Sequence, residues 1–383
     1  MTVDDHREPA FLEPNAFGNP GDDATLAYEQ AITHALQGRH QDALPLFELA
    51  APAYEDNAQF HLYFGTALYG LEQYEDAAEH FHHAADLVPD NPEFHAHLGN
   101  ALFMLDRQEE ASQCFSRAIE LNLRGGSYYY SLARLKMSRP ETRGEAIPLL
   151  EKAVELNPDV DEYQFRLGVA LYQEGDLDRA LRRFREAHLL NPVHGEYLFS
   201  MGTVLSRKGQ WEDAAECLRQ ALVLEPERAD CWGRLGGVYF ALDAGDLAVE
   251  ALRKAIGLDP DNPSYYALLA GVHFQGDRYD QARTALRTAI VLEPDNAQHR
   301  YNLGFAHLAL AEFPEAVEAF TQAARLDPRR AEAHHNLALA LWMTDRPGEA
   351  RAALARALEL DPAREEFQRT RADFEAGLRP RNP

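Results

Sequence analysis

The chain has 383 residues, with 62 Asp and Glu against 37 Lys and Arg, a formal charge of -25 and a pI near 5.0. So acidic a balance excludes a general nucleic-acid binder, which needs basic surface to neutralise phosphates, and 46% hydrophobic residues exclude disorder throughout. Three cysteines, Cys114, Cys217 and Cys231, form no CxxC pair and cannot build a disulfide framework, which fits a reducing, cytoplasmic setting.

At the N-terminus, residues 1–23 hold six acids against one Arg, with Pro9, Pro14, Pro20, Gly18 and Gly21 among them. They are expected to form a disordered acidic tail without a signal-peptide run. No stretch approaches the length of a transmembrane helix, so no membrane insertion is expected.

From Ala24 onward the chain repeats. The phrase Leu-x-Pro recurs at Pro158, Pro192, Pro226, Pro260, Pro294, Pro328 and Pro362, always 34 residues apart. Placing these prolines at position 32 of a 34-residue frame divides residues 24–364 into ten units, with one inserted residue in the fourth. Position 20 is Ala in every unit (Ala43 to Ala350), position 27 likewise (Ala50 to Ala357), and position 24 is always Phe or Leu. The spacing i, i+4, i+7 is one helical stripe, the second helix of each unit. Upstream, position 7 is apolar in units two to ten and position 8 is always Gly or Ala, as in Leu167-Gly168 and Leu235-Gly236, which marks a first helix whose backbone is closely approached. The proline ends the second helix, and nearby Asp or Asn starts the next.

The first unit is atypical, with Ala27 at position 4, Gln30 at position 7 and Glu55 where the proline belongs, as suits a terminal unit. Before the fourth, Leu123 replaces the proline, followed by Arg124-Gly125-Gly126 and later by a lengthened turn from Met137 to Gly144. A softer joint is expected over residues 123–144. After the tenth, Phe367, Phe374 and Leu378 fall at i, i+7, i+11, so residues 365–377 read as a capping helix and 378–383 as a second disordered tail.

Trp232, Leu235-Gly236, Tyr239, Ala248, Leu252, Ala255 and Pro260 resemble the tetratricopeptide repeat, and the resemblance covers about nine tenths of the chain. It implies an all-α fold, an α-solenoid of about ten helix-turn-helix units wound into a right-handed superhelix. It also implies protein binding, since members mostly bind segments of other proteins.

On the first helices, positions 4, 7, 8 and 11 cluster as a core face, and positions 2, 5, 6, 9, 12 and 13 lie opposite. A face that met only water would be polar, yet position 5 carries Tyr28, Tyr130, Phe165, Phe199 and Tyr301, and position 12 carries Tyr69, Phe103, Tyr172, Phe240, Phe274 and Trp342. Four arginines from consecutive units, Arg134, Arg166, Arg207 and Arg234, join them in a chain of net charge -25. In proteins of this resemblance that face lines the concave groove where peptides bind. The expected peptide-binding residues are therefore Arg134, Arg166, Arg207, Arg234, Phe165, Tyr172, Phe199, Phe240 and Phe274. The ligand would be an acidic or C-terminal carboxylate-bearing peptide. The competing account has the aromatics packing between repeats and each Arg pairing with an acid on the next helix. The Lys, Arg and Asn clamp of the resembled family is not reproduced, because Asn100, Asn302 and Asn336 lie in other units.

No phosphate-cradling loop, GxSxG or HExxH stands in the chain, so no catalysis and no cofactor are expected. His80, His82, His83, His95 and His97 form one tempting cluster. His61 and His95 at position 4, and His34, His273 and His307 at position 11, are better explained as packing residues. The expected function is a non-catalytic scaffold or adaptor. The alternatives are a regulatory or substrate-recruiting subunit of an enzyme, secretion or glycosylation assembly and, more distantly, a metal-responsive protein.

Overall fold

A computed structural model describes residues 23–378. Of the expected tails, 1–23 and 378–383, residues 1–22 and 379–383 lie outside the described residues, and Asp23 opens the first helix. Contacts divide the chain into two compact units, one ending at Leu190 and the other beginning at Asn191. Among the described residues every regular element is helical.

The first unit pairs α1 (Asp23–Leu36) with α2 (His40–Tyr54), α3 (Ala58–Gly70) with α4 (Tyr74–Leu87), and α5 (Pro92–Met104) with α6 (Gln108–Leu121). It continues with α7 (Gly126–Met137) and α8 (Ala146–Leu156), then α9 (Asp161–Gln173) and α10 (Leu177–Leu190). The second unit pairs α11 (Gly195–Arg207) with α12 (Trp211–Leu224), α13 (Ala229–Ala241) with α14 (Gly245–Leu258), and α15 (Pro263–Gln275) with α16 (Tyr279–Leu292). There follow α17 (Ala297–Ala309) with α18 (Phe313–Leu326), α19 (Ala331–Met343) with α20 (Pro347–Leu360), and a last helix, α21 (Glu365–Glu375). Each unit is thus an α-solenoid of stacked helix pairs.

Two local devices close each pair. Position 8 is small because the position-24 side chain of the same repeat lies on it. A Cβ at Gly65, Gly99, Gly168 or Gly304 would stand 2.6 to 2.7 Å from the ring of Phe81, Phe115, Phe184 or Phe320, and one at Gly202 or Gly236 equally close to Leu218 or Leu252. The turn uses position 15 in the left-handed conformation: Gly38, Glu72, Asp106, Gly175, Gly209, Asp243, Asp277, Ala311 and Asp345 all have φ between 54° and 85°. The next N–H then reaches back to the carbonyl of position 11, as Arg107 to Leu102 at 2.9 Å and Arg278 to His273 at 2.8 Å, and this satisfies a helix-end acceptor. The fourth repeat lacks this turn; a short 3₁₀ helix, Arg143–Glu145, bridges its lengthened loop instead. The two glycines before it are packed, since a Cβ on Gly125 would meet the Tyr128 ring at 2.3 Å and one on Gly126 the Asn157 side chain at 2.1 Å.

Position 4, read from the sequence as a place for packing rings, is chiefly a donor site. Its side chain bonds the carbonyl six residues earlier, at the proline position: Trp232 Nε1 to Pro226 at 2.9 Å, Tyr266 Oη to Pro260 at 3.1 Å, Arg300 Nε to Pro294 at 3.0 Å. This carbonyl lies past the end of the second helix, outside its ladder, and the side chain ties it to the start of the next repeat. His61 and His95 serve this purpose, on Glu55 at 2.9 Å and Pro89 at 2.8 Å. The main inter-repeat packing falls to position 3, which spacing alone did not single out: Phe60, Phe94, Tyr197, Cys231, Tyr265 and Phe367 are all buried. Phe374 of α21 stacks on Trp342 at 4.0 Å, and both its ring and that of Phe367 are withdrawn from solvent. Leu378, placed on the same stripe by its spacing, is exposed, because the helix has already ended and Gly377 turns the chain with φ 68°.

Candidate peptide-binding face

In the first unit the face is built by α5, α7 and α9. Arg134 lies with its guanidinium 5.6 Å from the Phe103 ring centroid and 5.8 Å from that of Tyr130, a cation held over two aromatic faces. It makes no ion pair among the described residues. Arg166 differs, since its Nε donates to Glu162 Oε1 at 2.6 Å, and the Tyr130 hydroxyl donates to the same oxygen at 2.9 Å. Burial opposes its charge, but the Glu162 carboxylate outweighs this and holds the guanidinium above its usual range. Tyr130 also stacks on Tyr163 at 4.7 Å. Phe165 is buried against Phe184, centroids 5.6 Å apart, and so offers little ring to a ligand. Tyr172 stays half-buried.

In the second unit, two guanidiniums converge on one ring. Phe199 of α11, half-buried, has Arg228 4.0 Å and Arg234 5.6 Å from its centroid. Arg228, just before α13, is bound by Glu196 at 2.7 Å, Asp230 at 2.9 Å and Glu225 at 3.1 Å. Burial again works against it, and the bonds from Asp230 and Glu196 raise its pKa despite that. Arg234 is exposed and has no carboxylate partner among the described residues. Phe240 and Phe274 are half-buried at position 12, and Phe274 meets Phe305 edge-on at 5.6 Å. Arg207 is exposed and does have an interaction partner.

The nine expected residues therefore separate. Arg134 and Arg234 combine an aromatic neighbour with a charge that no acid answers, whereas Arg166 is neutralised and Phe165 belongs to the core. Spacing missed Arg228 and its counterparts before α19 and α21. Arg330 sits 3.8 Å from the Tyr301 ring and bonds Gln298 at 2.8 Å, and Arg364 bonds Glu332 at 2.5 Å. The signal was available: an Arg at position 34 lies 32 residues after a Glu or Gln at position 2 (Glu196, Gln298, Glu332).

Of the histidines, His61, His80 and His83 draw together, with the His61 ring 4.2 Å from that of His83, while the others of the sequence cluster lie apart from them. His61 and His80 share a 2.8 Å bond between Nδ1 atoms, His82 bonds Asp86 at 3.0 Å, and His97 lies 5.2 Å from the Phe81 ring. No group of three or more metal-ligating side chains is assembled among the described residues. Burial pushes the thiols of Cys231 and Cys114 up, to about 12 and about 11, away from nucleophilic character. No helix among the described residues is long and apolar enough to cross a membrane.

Tetratricopeptide repeat models match residues 68–135, 142–190, 199–263 and 306–365, and a further TPR repeat model matches 272–310. No curated protein matches the chain. Among solved structures, the C-terminal part of a TPR repeat-containing protein from Cytophaga hutchinsonii is 18% identical over 64% of this chain and 98% of that chain, with a TM-score of 0.54. Pseudomonas aeruginosa PilF is 18% identical, covering 56% and 97%, with a TM-score of 0.49. YrrB, a TPR protein with an unusual peptide-binding site, is 20% identical, covering 49% and 97%, with a TM-score of 0.45. At these identities the likeness concerns the fold alone.

Proposed function

Because the chain belongs to the tetratricopeptide repeat family, a fold that is typically a non-catalytic scaffold for protein interaction, we propose that it is an adaptor binding acidic peptide segments of partner proteins. The segment docks on the exposed face of the first helices. One observation carries this reading: Arg134 and Arg234 stand beside aromatic rings with no carboxylate among the described residues to neutralise them, in a chain of formal charge -25. An unanswered guanidinium flanked by apolar rings is prepared for a bidentate carboxylate contact, shielded from water by those rings. The aromatics at position 12 supply apolar contact area, as rigid anchors do in peptide grooves.

The test is an array of acidic peptides, each with a free and an amidated C-terminus, probed with the full chain across a salt series. Salt-sensitive capture of acidic sequences supports the reading, and loss on amidation assigns the contact to the terminal carboxylate. Capture of basic or neutral peptides alone overturns it.

A further inference from the structure

A second site lies away from that face, between the second helices α14 and α16, and it comes to light by comparing consecutive repeats at the same positions. In the ninth repeat, His307 at position 11 is buried and its Nδ1 donates to Glu312 Oε2 at 2.6 Å. The other oxygen of Glu312, at position 16, accepts from Arg283 Nη1 at 2.5 Å, Arg283 being at position 21 of the repeat before. Imidazole, carboxylate and guanidinium meet here, and of the atoms on these three groups only Arg283 Nε is buried without a partner among the described residues.

One repeat earlier the histidine is the same and its partners are not. His273 holds position 11, only 6% exposed, but position 16 is Arg278 and position 21 of the preceding repeat is Val249. The carboxylate has become a cation and the long arginine a short apolar side chain. What remains is a cleft of about 560 Å³ lined by four basic side chains, His273, Arg278, Arg253 and Lys254, by Val249 and Gln281, and by two acids, Asp246 and Glu250. Of these lining residues, His273 Nδ1 and Arg278 Nε are buried and have no hydrogen-bond partner among the described residues. The acids do not supply one: Glu250 is paired with Lys254 at 3.2 Å, and Asp246, fully exposed, is 3.9 Å from Arg278, beyond hydrogen-bonding distance. Arg253 forms no ion pair among the described residues. Leaving the buried Nδ1 of His273 and the buried Nε of Arg278 without partners is costly, and the fixed charge of the guanidinium calls for an acceptor carrying negative charge.

We propose that this cleft binds a single anionic group, a phosphate or a carboxylate, which takes the place that Glu312 occupies in the following repeat. His273 Nδ1 and Arg278 Nε donate to it, Arg253 adds charge at the entrance, and the Val249 side chain leaves the room. The site is independent of the peptide face, so either can fail without the other.

The experiment follows the imidazole resonances of His273 by NMR on the full chain, titrated with inorganic phosphate and separately with acetate, with chloride at matched ionic strength as the control. Saturable movement of His273 with phosphate or acetate but not chloride is expected, and which anion acts identifies the chemistry. Arg278→Glu restores the carboxylate internally and should weaken the response at least about tenfold, the loss expected when one charge-assisted bond is replaced by repulsion. Arg253→Gln, an exposed change that leaves the fold intact, should weaken it less. A His273 signal that neither anion moves, or an Arg278→Glu protein that retains its helical circular dichroism and responds as the parent does, would overturn the proposal.

Discussion

The two units place an arginine at the same position of a first helix, Arg166 and Arg234, and settle its charge differently. In the first, Arg166 is tied to Glu162, four residues before it on the same helix, and the carboxylate is braced by Tyr130. In the second, Arg228 is tied to three carboxylates, two of its own repeat and one of the next, while Arg234 beside the same Phe199 ring has none among the described residues. Position in the repeat says which face a side chain occupies. Its availability is decided by whether an acid of its own or an adjoining repeat reaches it, and a binding face must be judged by its unanswered charges.

The contrast can be broken first on stability. Arg228 has a side chain only 18% exposed, so Arg228→Ala leaves carboxylates partly buried and unpaired and should destabilise the second unit by about 2 kcal/mol. Arg166→Ala removes an i, i+4 pair and should change the first by less than about 0.5 kcal/mol. Urea unfolding of both variants measures the difference; equal losses would mean that the two arginines are held alike.

A second contrast is acid sensitivity in the first unit. Burial, then repulsion from His61 and His83, lowers the His80 imidazole from 6.5 to about 4. As pH falls below 6.5 the unfolded chain takes up a proton that the folded one refuses until about pH 4, so stability present at neutral pH is lost across that window. Allowing for partial exposure, the loss is on the order of 1 to 2 kcal/mol. His80→Gln should flatten this part of the stability profile in thermal melts from pH 7 to pH 4; an unchanged slope would remove His80 as its source.

The smallest effect distinguishes the turns. The first unit places Gly38 and Gly175 among its left-handed turn residues, while the second uses Asp243, Asp277, Ala311 and Asp345 besides Gly209. Ala311, at φ 57°, has no polar side chain to compensate, so Ala311→Gly should stabilise the second unit by about 0.5 to 1 kcal/mol in calorimetry. A lower melting temperature would show that the backbone there is not strained.

Much of the fold was legible because its strongest constraints are local. Positions 8, 20 and 24 pack within one repeat, so the same residues recur every 34, and Gly236 beneath Leu252 is the visible result. Position 3 was not legible, because it packs across the boundary between repeats and accepts whatever shape its neighbour leaves: the Tyr265 ring lies where a Cβ on Gly233 would stand, at 2.3 Å. Position 4 was misread as packing because Trp, Tyr and His look apolar in a pattern, while their contribution is one donor aimed at a carbonyl. Of the candidate site, the face was readable and the pairing was not. Glu162 and Glu196 sit at position 2, where the sequence shows an acid but not which arginine it reaches.

The account stands or falls on the unanswered arginines. The decisive measurement is the affinity of an acidic peptide for the parent, Arg134→Ala, Arg234→Ala and Arg166→Ala proteins at low and high salt. A charge-assisted bond to carboxylate corresponds to a loss of roughly tenfold or more, so Arg134→Ala or Arg234→Ala should lose at least that at low salt and show a shallower salt dependence, while Arg166→Ala stays near the parent. If both Arg134→Ala and Arg234→Ala bind as tightly as the parent at low salt, the face is merely solvated and the adaptor reading of it is wrong.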